Sequence, residues 1–275
     1  MDATVVLPLD LVSSKIKVGL PQPIGERLLT IVDPKVKWKL AEAEYGDILR
    51  IQVDNAADPK TIAAVDAMHR PVPLPIRLVV FAISTVVLLL LATLMTGGKP
   101  QRFILGADNR YSNSLTQAGA WFGALAVVYM SAVVLRIFYL HTGYIGGVGL
   151  PEHLIELTGL SALAFGGAKV ITAQKVDTAE AAGQSNSKPA AKQPNFLLDL
   201  VTNDYGRPDF GDFQMILITG AAVVIFMMSA GYFLGSLAFE TNVTLPDVDT
   251  TLLSAFGIGQ GAYLVKKAAA KLGQG

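Results

Sequence analysis

Uncharged apolar stretches of membrane-spanning length recur along the last two thirds of this chain. The five candidates are Leu78–Thr96, Leu115–Leu135, Leu154–Thr172, Phe213–Phe239 and Thr250–Val265. About 20 apolar residues in a helix cross the hydrocarbon layer of a bilayer. The first, second and fourth stretches meet this length and are free of charge, whereas the third carries a charge near each end and the fifth is short. The pattern therefore predicts four or five transmembrane helices.

The first 74 residues have a different pattern, in which short runs rich in Val, Ile and Leu alternate with polar residues. These runs are Thr4–Leu9, Lys15–Gly19, Leu28–Val32 and Ile48–Val53. Gly, Pro and Asp separate them, which favours strands joined by turns. A short helix is predicted near Pro59–Met68, and the proline-rich segment 71–75 is predicted to be a stiff spacer. We therefore expect a small β-rich domain outside the membrane.

These patterns divide the chain into five segments. Residues 1–74 form the β-rich domain, 75–114 the first transmembrane helix with its connection, and 115–172 a helical hairpin. Residues 173–208, which contain the polar sequence EAAGQSNSKPAAKQPN, are typical of a flexible linker. Residues 209–275 form a second hairpin and a basic tail. The predicted fold is a membrane all-α helical bundle with a small β-rich N-terminal domain.

Composition narrows the function. The chain is 52% hydrophobic and 16% charged, below the roughly 25% charge of soluble domains. It has no cysteine and three histidines, so thiolate and histidine-rich metal sites are not expected. We find no catalytic grouping, metal-ligand spacing or cofactor motif, and we do not expect an enzyme. The net charge is zero, which gives no reason to expect a nucleic-acid partner.

Lysine and arginine are distributed unevenly between the connections. Segments 143–153 and 240–249 contain neither residue, while the first connection, the linker and the tail are basic. Because basic loops stay in the cytoplasm, five spans would place the N-terminal domain outside and the C-terminus inside. The N-terminus lacks a basic head followed by an apolar core, so the first hydrophobic helix is expected to direct insertion.

The two predicted hairpins share polar landmarks at a nearly constant offset. Gln117 and Gln214 are 97 residues apart, and Gly159 and Gly257 are 98 apart. Lys169 and Lys267 are also 98 apart, and each hairpin contains a Leu-Pro-acid sequence, Leu150–Glu152 or Leu245–Asp247. This offset predicts a parallel duplication of one hairpin. Repeats of this kind often frame a central interface.

The first hairpin resembles a widespread, functionally uncharacterised group of bacterial multi-pass membrane proteins with repeated "YSxxxTQxxxW … LLxLxGIS" hairpins. Here the first copy reads YSNSLTQ over 111–117 with Trp121, followed by LTGLS over 157–161. The second copy keeps Gln214 but lacks the Thr and Trp, and LLSAFGIG over 252–259 fits better. The resemblance covers about 106–271. It implies location in the bacterial cytoplasmic membrane and no particular activity.

Three pairs of glycines have the small-x-x-x-small spacing that allows close helix packing. They are Gly119/Gly123, Gly231/Gly235 and Gly257/Gly261. The last pair lies in the sequence GIGQG, which could be mistaken for a phosphate-binding loop. Its apolar surroundings favour packing. We expect at least one pair to form an intrachain contact or an oligomer interface.

A few ionisable residues lie near the ends of the predicted spans and are candidates for polar contacts inside the membrane. They are Arg136, Glu152, Glu156, Lys169 and Lys267. Arg136 could pair with Glu152 or Glu156. Glu156 and Lys169 are about 20 Å apart along one helix, too far for an ion pair, and each could instead extend to the headgroups.

The sequence therefore favours a membrane anchor, scaffold or sensor that presents an N-terminal recognition domain. Its expected partners are the lipid bilayer and either a second copy or another membrane protein. The alternative is an oligomeric channel or transporter whose repeated hairpins line a small pore.

Overall fold

The computed structural model describes residues 1–106, 108–181, 191–202 and 207–269. These residues form two compact units, and three helices contribute to both. The barrel unit comprises 1–80, 132–148 and 231–243, and the helical unit comprises 81–131, 149–230 and 244–275. Each unit is described by itself.

The barrel unit is built on five strands. They are β1 (Asp2–Asp10), β2 (Lys15–Leu20), β3 (Gly25–Ile31), β4 (Ile48–Val53) and β5 (Thr61–Pro71). The order β3-β2-β1-β4 is that of a Greek key, and β5 lies beside β4. β3 and β5 pair in parallel at Thr30–Thr61 and Ile31–Ile62, which closes the sheet into a barrel. This is the architecture of the OB fold, which by itself specifies no function.

The predicted β-rich domain is confirmed, but the predicted helix near Pro59–Met68 is wrong. This segment is β5, whose buried residues Ile62, Val65 and Met68 recur every third position. Two register shifts against β4 explain this spacing, because Ala63 and Asp66 are left without partners in the ladder. Each extra residue lengthens the local period from two to three, which resembles a helical pattern.

The barrel core is apolar and closed at one end by a short helix. Ile16, Val18, Leu29, Leu49 and Ile51 are fully buried, with ten further apolar residues around them. Helix α1 (Pro34–Leu40) begins at Asp33, whose carboxylate accepts from the backbone N–H of Lys35 at 2.7 Å. Val36 and Leu40 lie on one face of α1 and enter this core.

A distant segment adds a sixth strand to this sheet. β7 (Ser236–Ala238) pairs antiparallel with the end of β5, from His69–Ala238 to Pro71–Ser236. It follows closely on helix α6 (Phe210–Phe233), while helix α2 (Leu74–Met95) begins three residues after β5. The barrel unit also contains the last turns of helix α3 (Asn113–Leu140). The barrel unit therefore includes one end of each of three long helices.

The remaining helices are α4 (Glu152–Ala181), α5 (Phe196–Val201) and α7 (Thr250–Ala269), with two short strands, β6 (Val148–Gly149) and β8 (Val243–Thr244). Four helices in the described chain are long and apolar enough to cross a membrane: 74–95, 113–140, 152–174 and 210–233. The predicted fifth span, 250–265, lies in α7 and is not among them. Gln260, Lys266 and Lys267 lower its hydropathy.

Helices α4 and α7 pack in parallel. Gly257 on α7 faces Leu160 on α4, where an added Cβ would be 3.6 Å from its side chain. Gly167 on α4 faces Leu264 on α7 at 3.3 Å. Both pairs are separated by 97 residues, so the two helices run side by side at an offset close to that of the sequence landmarks. The duplication itself stays a prediction.

The other predicted packing glycines differ in their surroundings. An added Cβ at Gly119 would be 3.3 Å from Ile104, and one at Gly123 would be 3.8 Å from Leu88. A Cβ at Gly235 would lie 2.8 Å from the Arg77 guanidinium and 2.9 Å from a backbone oxygen, so a larger residue does not fit there. Gly261 has no atom within 4 Å of the added Cβ among the described residues. Gly231 contributes its carbonyl oxygen, which accepts from Arg77.

Candidate functional site

A buried ion pair joins two strands of the barrel unit. Arg70, near the end of β5, donates from Nε and Nη2 to the two carboxylate oxygens of Asp47 at 2.9 and 2.8 Å. Asp47 directly precedes β4 and is 1% exposed, and Arg70 is 6% exposed. A two-pronged Arg–carboxylate contact fixes the guanidinium plane as well as its position.

The same guanidinium reaches two further backbone segments. Nη1 donates to the carbonyl oxygen of Tyr139 at 2.6 Å, and Nη2 donates to that of Glu42 at 2.9 Å. The Glu44 carboxylate lies 3.2 Å from Nη1, and the guanidinium carbon lies 5.0 Å from the centre of the Phe239 ring. Burial acts to lower the pKa of Arg70, but the hydrogen bond and charge of Asp47 outweigh it and raise the pKa above its usual value. The side chain therefore remains a cation.

Tyr139 is the next-to-last residue of α3, so Arg70 satisfies a carbonyl group that the helix itself leaves open. Arg77 does the same in α6, where it donates to the Gly231 carbonyl oxygen. Positive charge at the C-terminus of a helix is stabilised by the helix dipole. Two arginines, Arg70 near the end of β5 and Arg77 in the first turn of α2, thus bind the ends of α3 and α6.

Arg136 also binds backbone carbonyl groups of the barrel unit, in this case outside the long helices. It is 2% exposed and donates to the carbonyl oxygens of Tyr144 and Glu240. Its contacts inside the barrel unit are therefore backbone oxygens. The predicted pairing with Glu152 or Glu156, which belong to the helical unit, stays a prediction.

Tyr144 connects the same region to the barrel. Its hydroxyl donates to the Glu42 carboxylate at 2.9 Å, and its ring packs edge-on against Phe239. Burial, together with the hydrogen bond to Glu42 and its negative charge, raises the pKa of Tyr144 to about 12. The phenol is therefore protonated at neutral pH and serves as a hydrogen-bond donor.

A second polar cluster, the amide network, lies inside the helical unit. The Gln117 side-chain amide on α3 donates to the Met215 carbonyl oxygen at 3.1 Å and to the Thr219 hydroxyl at 2.7 Å, both on α6. Its oxygen accepts from Gln260 Nε2 on α7 at 2.8 Å. Gln117, Thr219 and Gln260 are each at most 4% exposed. The network joins three helices without a formal charge.

Several oxygens of the helical unit are buried without a partner among the described residues. They are Oε1 of Gln260, Oγ of Ser161, Oγ1 of Thr116 and Oδ1 of Asn113. Trp121, two turns into α3, is fully buried, with its indole N–H bonded to Thr158 on α4 and its ring packed against Phe226 on α6. The indole ring is therefore part of the core of the helical unit.

The start of α6 carries a further ion-pair cluster. Lys266 on α7 lies 2.5 Å from Asp209 and 3.2 Å from Asp212. Asp209 directly precedes α6 and Asp212 lies in its first turn, and their side chains are only 16% and 13% exposed. Asp209 also accepts from the backbone N–H groups of Gly211 and Asp212, so it caps α6.

The predicted ionisable candidates are spread over α4 and α7. Glu152, Glu156 and Lys169 are exposed on α4, and the Lys169 ammonium lies 4.8 Å from the centre of the Phe165 ring. Lys267 lies near Tyr263 on its own helix, 3.4 Å from the hydroxyl. The geometry brings none of these together into a site within the helical unit. No cluster of three or more His, Asp or Glu side chains is placed to hold a metal ion in the described part of the chain.

The two networks were not identified as sites from the sequence. Arg70 lies beside the proline-rich segment and Asp47 precedes a strand, so nothing local pairs them. Gln117 stands out as a polar residue in an apolar span. Between Thr251 and Tyr263, the polar residues are Ser254 and Gln260, of which Gln260 is the more strongly polar. Polar side chains in apolar helices are costly without partners, which is the signal that could have linked these two.

We expect Arg70→Met to destabilise the barrel unit by about 3–5 kcal/mol, because it leaves the Asp47 carboxylate buried without a partner. Denaturant unfolding in detergent micelles measures this loss. The matched control is Arg50→Met, which removes an exposed ion pair with Asp2 and should cost less than about 1 kcal/mol. Equal effects of the two substitutions would contradict a structural role for the Arg70 contacts.

Comparison with protein families, curated proteins and solved structures gave no match. The function therefore has to be argued from the geometry of this chain.

Proposed function

We propose that this chain is an integral membrane scaffold or sensor whose N-terminal barrel is fixed to the ends of its transmembrane helices. The barrel would recognise a partner or ligand, and the helices would hold it at the membrane and assemble with a second copy or another membrane protein. Four long apolar helices support the membrane location. On α2, side chains such as Leu78, Ile83, Leu90 and Leu94 are more than half exposed within the protein, as expected for a lipid-facing surface.

The observation that carries this proposal is the set of contacts made by Arg70. A single buried guanidinium binds the barrel residue Asp47 and the terminal carbonyl group of α3 at Tyr139. Strand β7 reinforces the connection, because it places the residues after α6 in the barrel sheet. A barrel on a flexible tether would have neither feature. The arrangement suits a domain whose conformation is coupled to the ends of the helices.

We further propose the bacterial cytoplasmic membrane as the location, with α7 as a fifth crossing, the barrel outside and the C-terminus in the cytoplasm. The resemblance of the first hairpin supports the location, and the distribution of Lys and Arg supports the orientation.

The alternative function is an oligomeric channel or transporter, and the amide network favours it. Gln117, Thr219 and Gln260 place amide and hydroxyl groups from three helices in an otherwise apolar unit. Polar groups at such an interface line transport pathways in some membrane proteins, but they also act as packing contacts between helices.

If Arg70 couples the barrel to the helices, Arg70→Met should raise hydrogen exchange at both places. In lipid nanodiscs we expect faster exchange in β4 and in residues 134–140 at the end of α3, with Arg50→Met leaving both unchanged. Faster exchange confined to β4 would mean that the barrel is a separately tethered module.

The proposed orientation is tested with cysteines in a chain that has none. Ser13→Cys in the β1–β2 turn and Gln101→Cys after α2 are both at exposed positions. In intact cells, a membrane-impermeant maleimide should label residue 13 and not residue 101. Labelling of residue 101 alone would reverse the orientation, and labelling of both would contradict a span between them.

Gln117→Leu distinguishes packing from transport. As a packing contact, Gln117 should stabilise the helices by about 1–2 kcal/mol, and the chain should show no conductance in planar bilayers. A conductance that Gln117→Leu alters would favour the channel. Gln214→Leu, at an exposed position on α6, is the matched control.

A further inference from the structure

Four aromatic side chains of the barrel unit are left largely uncovered. Trp38 is 80% exposed, Tyr45 78%, Phe138 78% and Tyr232 87%. Phe138 and Tyr232 lie in the last turns of α3 and α6, where aromatic residues commonly mark the boundary between lipid and water. Trp38 and Tyr45 belong to the barrel, on α1 and on the loop that follows it.

The hydrogen bonds of Arg70 place that loop beside the end of α3. Arg70 donates both to Glu42 and to Tyr139, so the Glu42 backbone lies one guanidinium away from the last turn of α3. Trp38 and Tyr45 are four and three residues from Glu42, and such segments span at most about 14 and 11 Å. Both aromatic residues therefore lie in the neighbourhood of the last turn of α3.

The length of α3 places its last turn in the headgroup layer. Its 28 residues extend over about 42 Å, compared with about 30 Å for the hydrocarbon layer. The excess of about 12 Å is comparable with the two headgroup layers together, each about 5–8 Å thick. A side chain beside the last turn of α3 is thus within reach of lipid headgroups.

The lysines of α1 supply positive charge around Trp38, whereas the carboxylates of the loop 41–47 are bonded to Tyr144 or Arg70. Lys35, Lys37 and Lys39 all belong to α1. The ammonium groups of Lys37 and Lys39 donate to the carbonyl oxygens of Leu11 and Val65, and Lys37 also interacts electrostatically with the Asp10 carboxylate. Basic residues beside a membrane are attracted to anionic lipids, and tryptophan and tyrosine favour the headgroup region.

We propose that α1 and the loop 41–47 form an interfacial membrane contact, in which Trp38 and Tyr45 enter the headgroup layer of the membrane that α3 crosses. The lysines of α1 bind anionic phosphate groups of the same leaflet. This inference rests on the proposed membrane location. The occupant of the exposed aromatic surface is lipid and not a second protein.

Trp38 itself reports the contact, since the chain has only two tryptophans and Trp121 is fully buried. The emission of Trp38 is obtained as the difference between the wild-type chain and Trp38→Phe, which leaves the core intact. Trp121→Phe leaves Trp38 as the single tryptophan and so gives the same emission directly. This variant retains an aromatic ring against Phe226. The protein is reconstituted in phosphatidylcholine vesicles with and without phosphatidylglycerol.

We expect brominated phosphatidylcholine to quench the larger part of the Trp38 emission and aqueous acrylamide to quench little of it. Phosphatidylglycerol should strengthen the lipid quenching, and the triple substitution Lys35→Gln, Lys37→Gln and Lys39→Gln should remove that increase. Lys60→Gln, at an exposed position in the β4–β5 connection, is the matched control and should leave it unchanged.

Three results would contradict either the interfacial contact or the proposed membrane location, and the three can be distinguished. Quenching by acrylamide alone, in protein that resists extraction from the vesicles, contradicts the interfacial contact and leaves the membrane location intact. Protection from both quenchers means that protein covers Trp38, which also contradicts the inference. A chain that is extracted from the vesicles by alkaline carbonate contradicts the proposed membrane location itself.

Discussion

The barrel unit depends on the need to satisfy a buried guanidinium. Arg70 cannot shed its charge, so burial is tolerated only if an anion and several acceptors surround it. Asp47 supplies the anion, and the acceptors come from Glu42 and Tyr139, far apart in the sequence. One side chain thereby fixes the relation between the loop before β4, the end of β5 and the last turn of α3.

The helical unit meets a related constraint with neutral groups. In an apolar interior an amide needs partners for both its N–H groups and its oxygen, and Gln117 finds all three on α6 and α7. The side-chain amide of Gln260 is less completely hydrogen-bonded, because its oxygen has no partner among the described residues. A turn further along α3, the core becomes aromatic, with Trp121 against Phe226.

The sequence predicted what depends on local pattern and missed what depends on distant pairing. Periodicity located four apolar helices and the first four strands of the barrel, because length and alternation are visible in a short window. It failed at β5, where two unpaired residues give the buried positions a helix-like spacing. It did not foresee β7, a three-residue strand after α6 whose only signal is its partner 165–169 residues earlier. The ion pair of Arg70 and the amide network are likewise contacts across 23 and 143 residues.

The same distinction bears on function. Apolar residues, which dominate this chain, indicate a membrane-embedded protein, because any sufficiently long apolar helix can cross a bilayer. The activity has to come from the few polar groups that the fold buries, and these comprise the arginine contacts at the helix ends, the ion pairs of Lys266 and one uncharged network. These arrangements are suited to holding elements in a fixed relation, which is what a scaffold or a sensor requires of the connection between its recognition domain and the membrane.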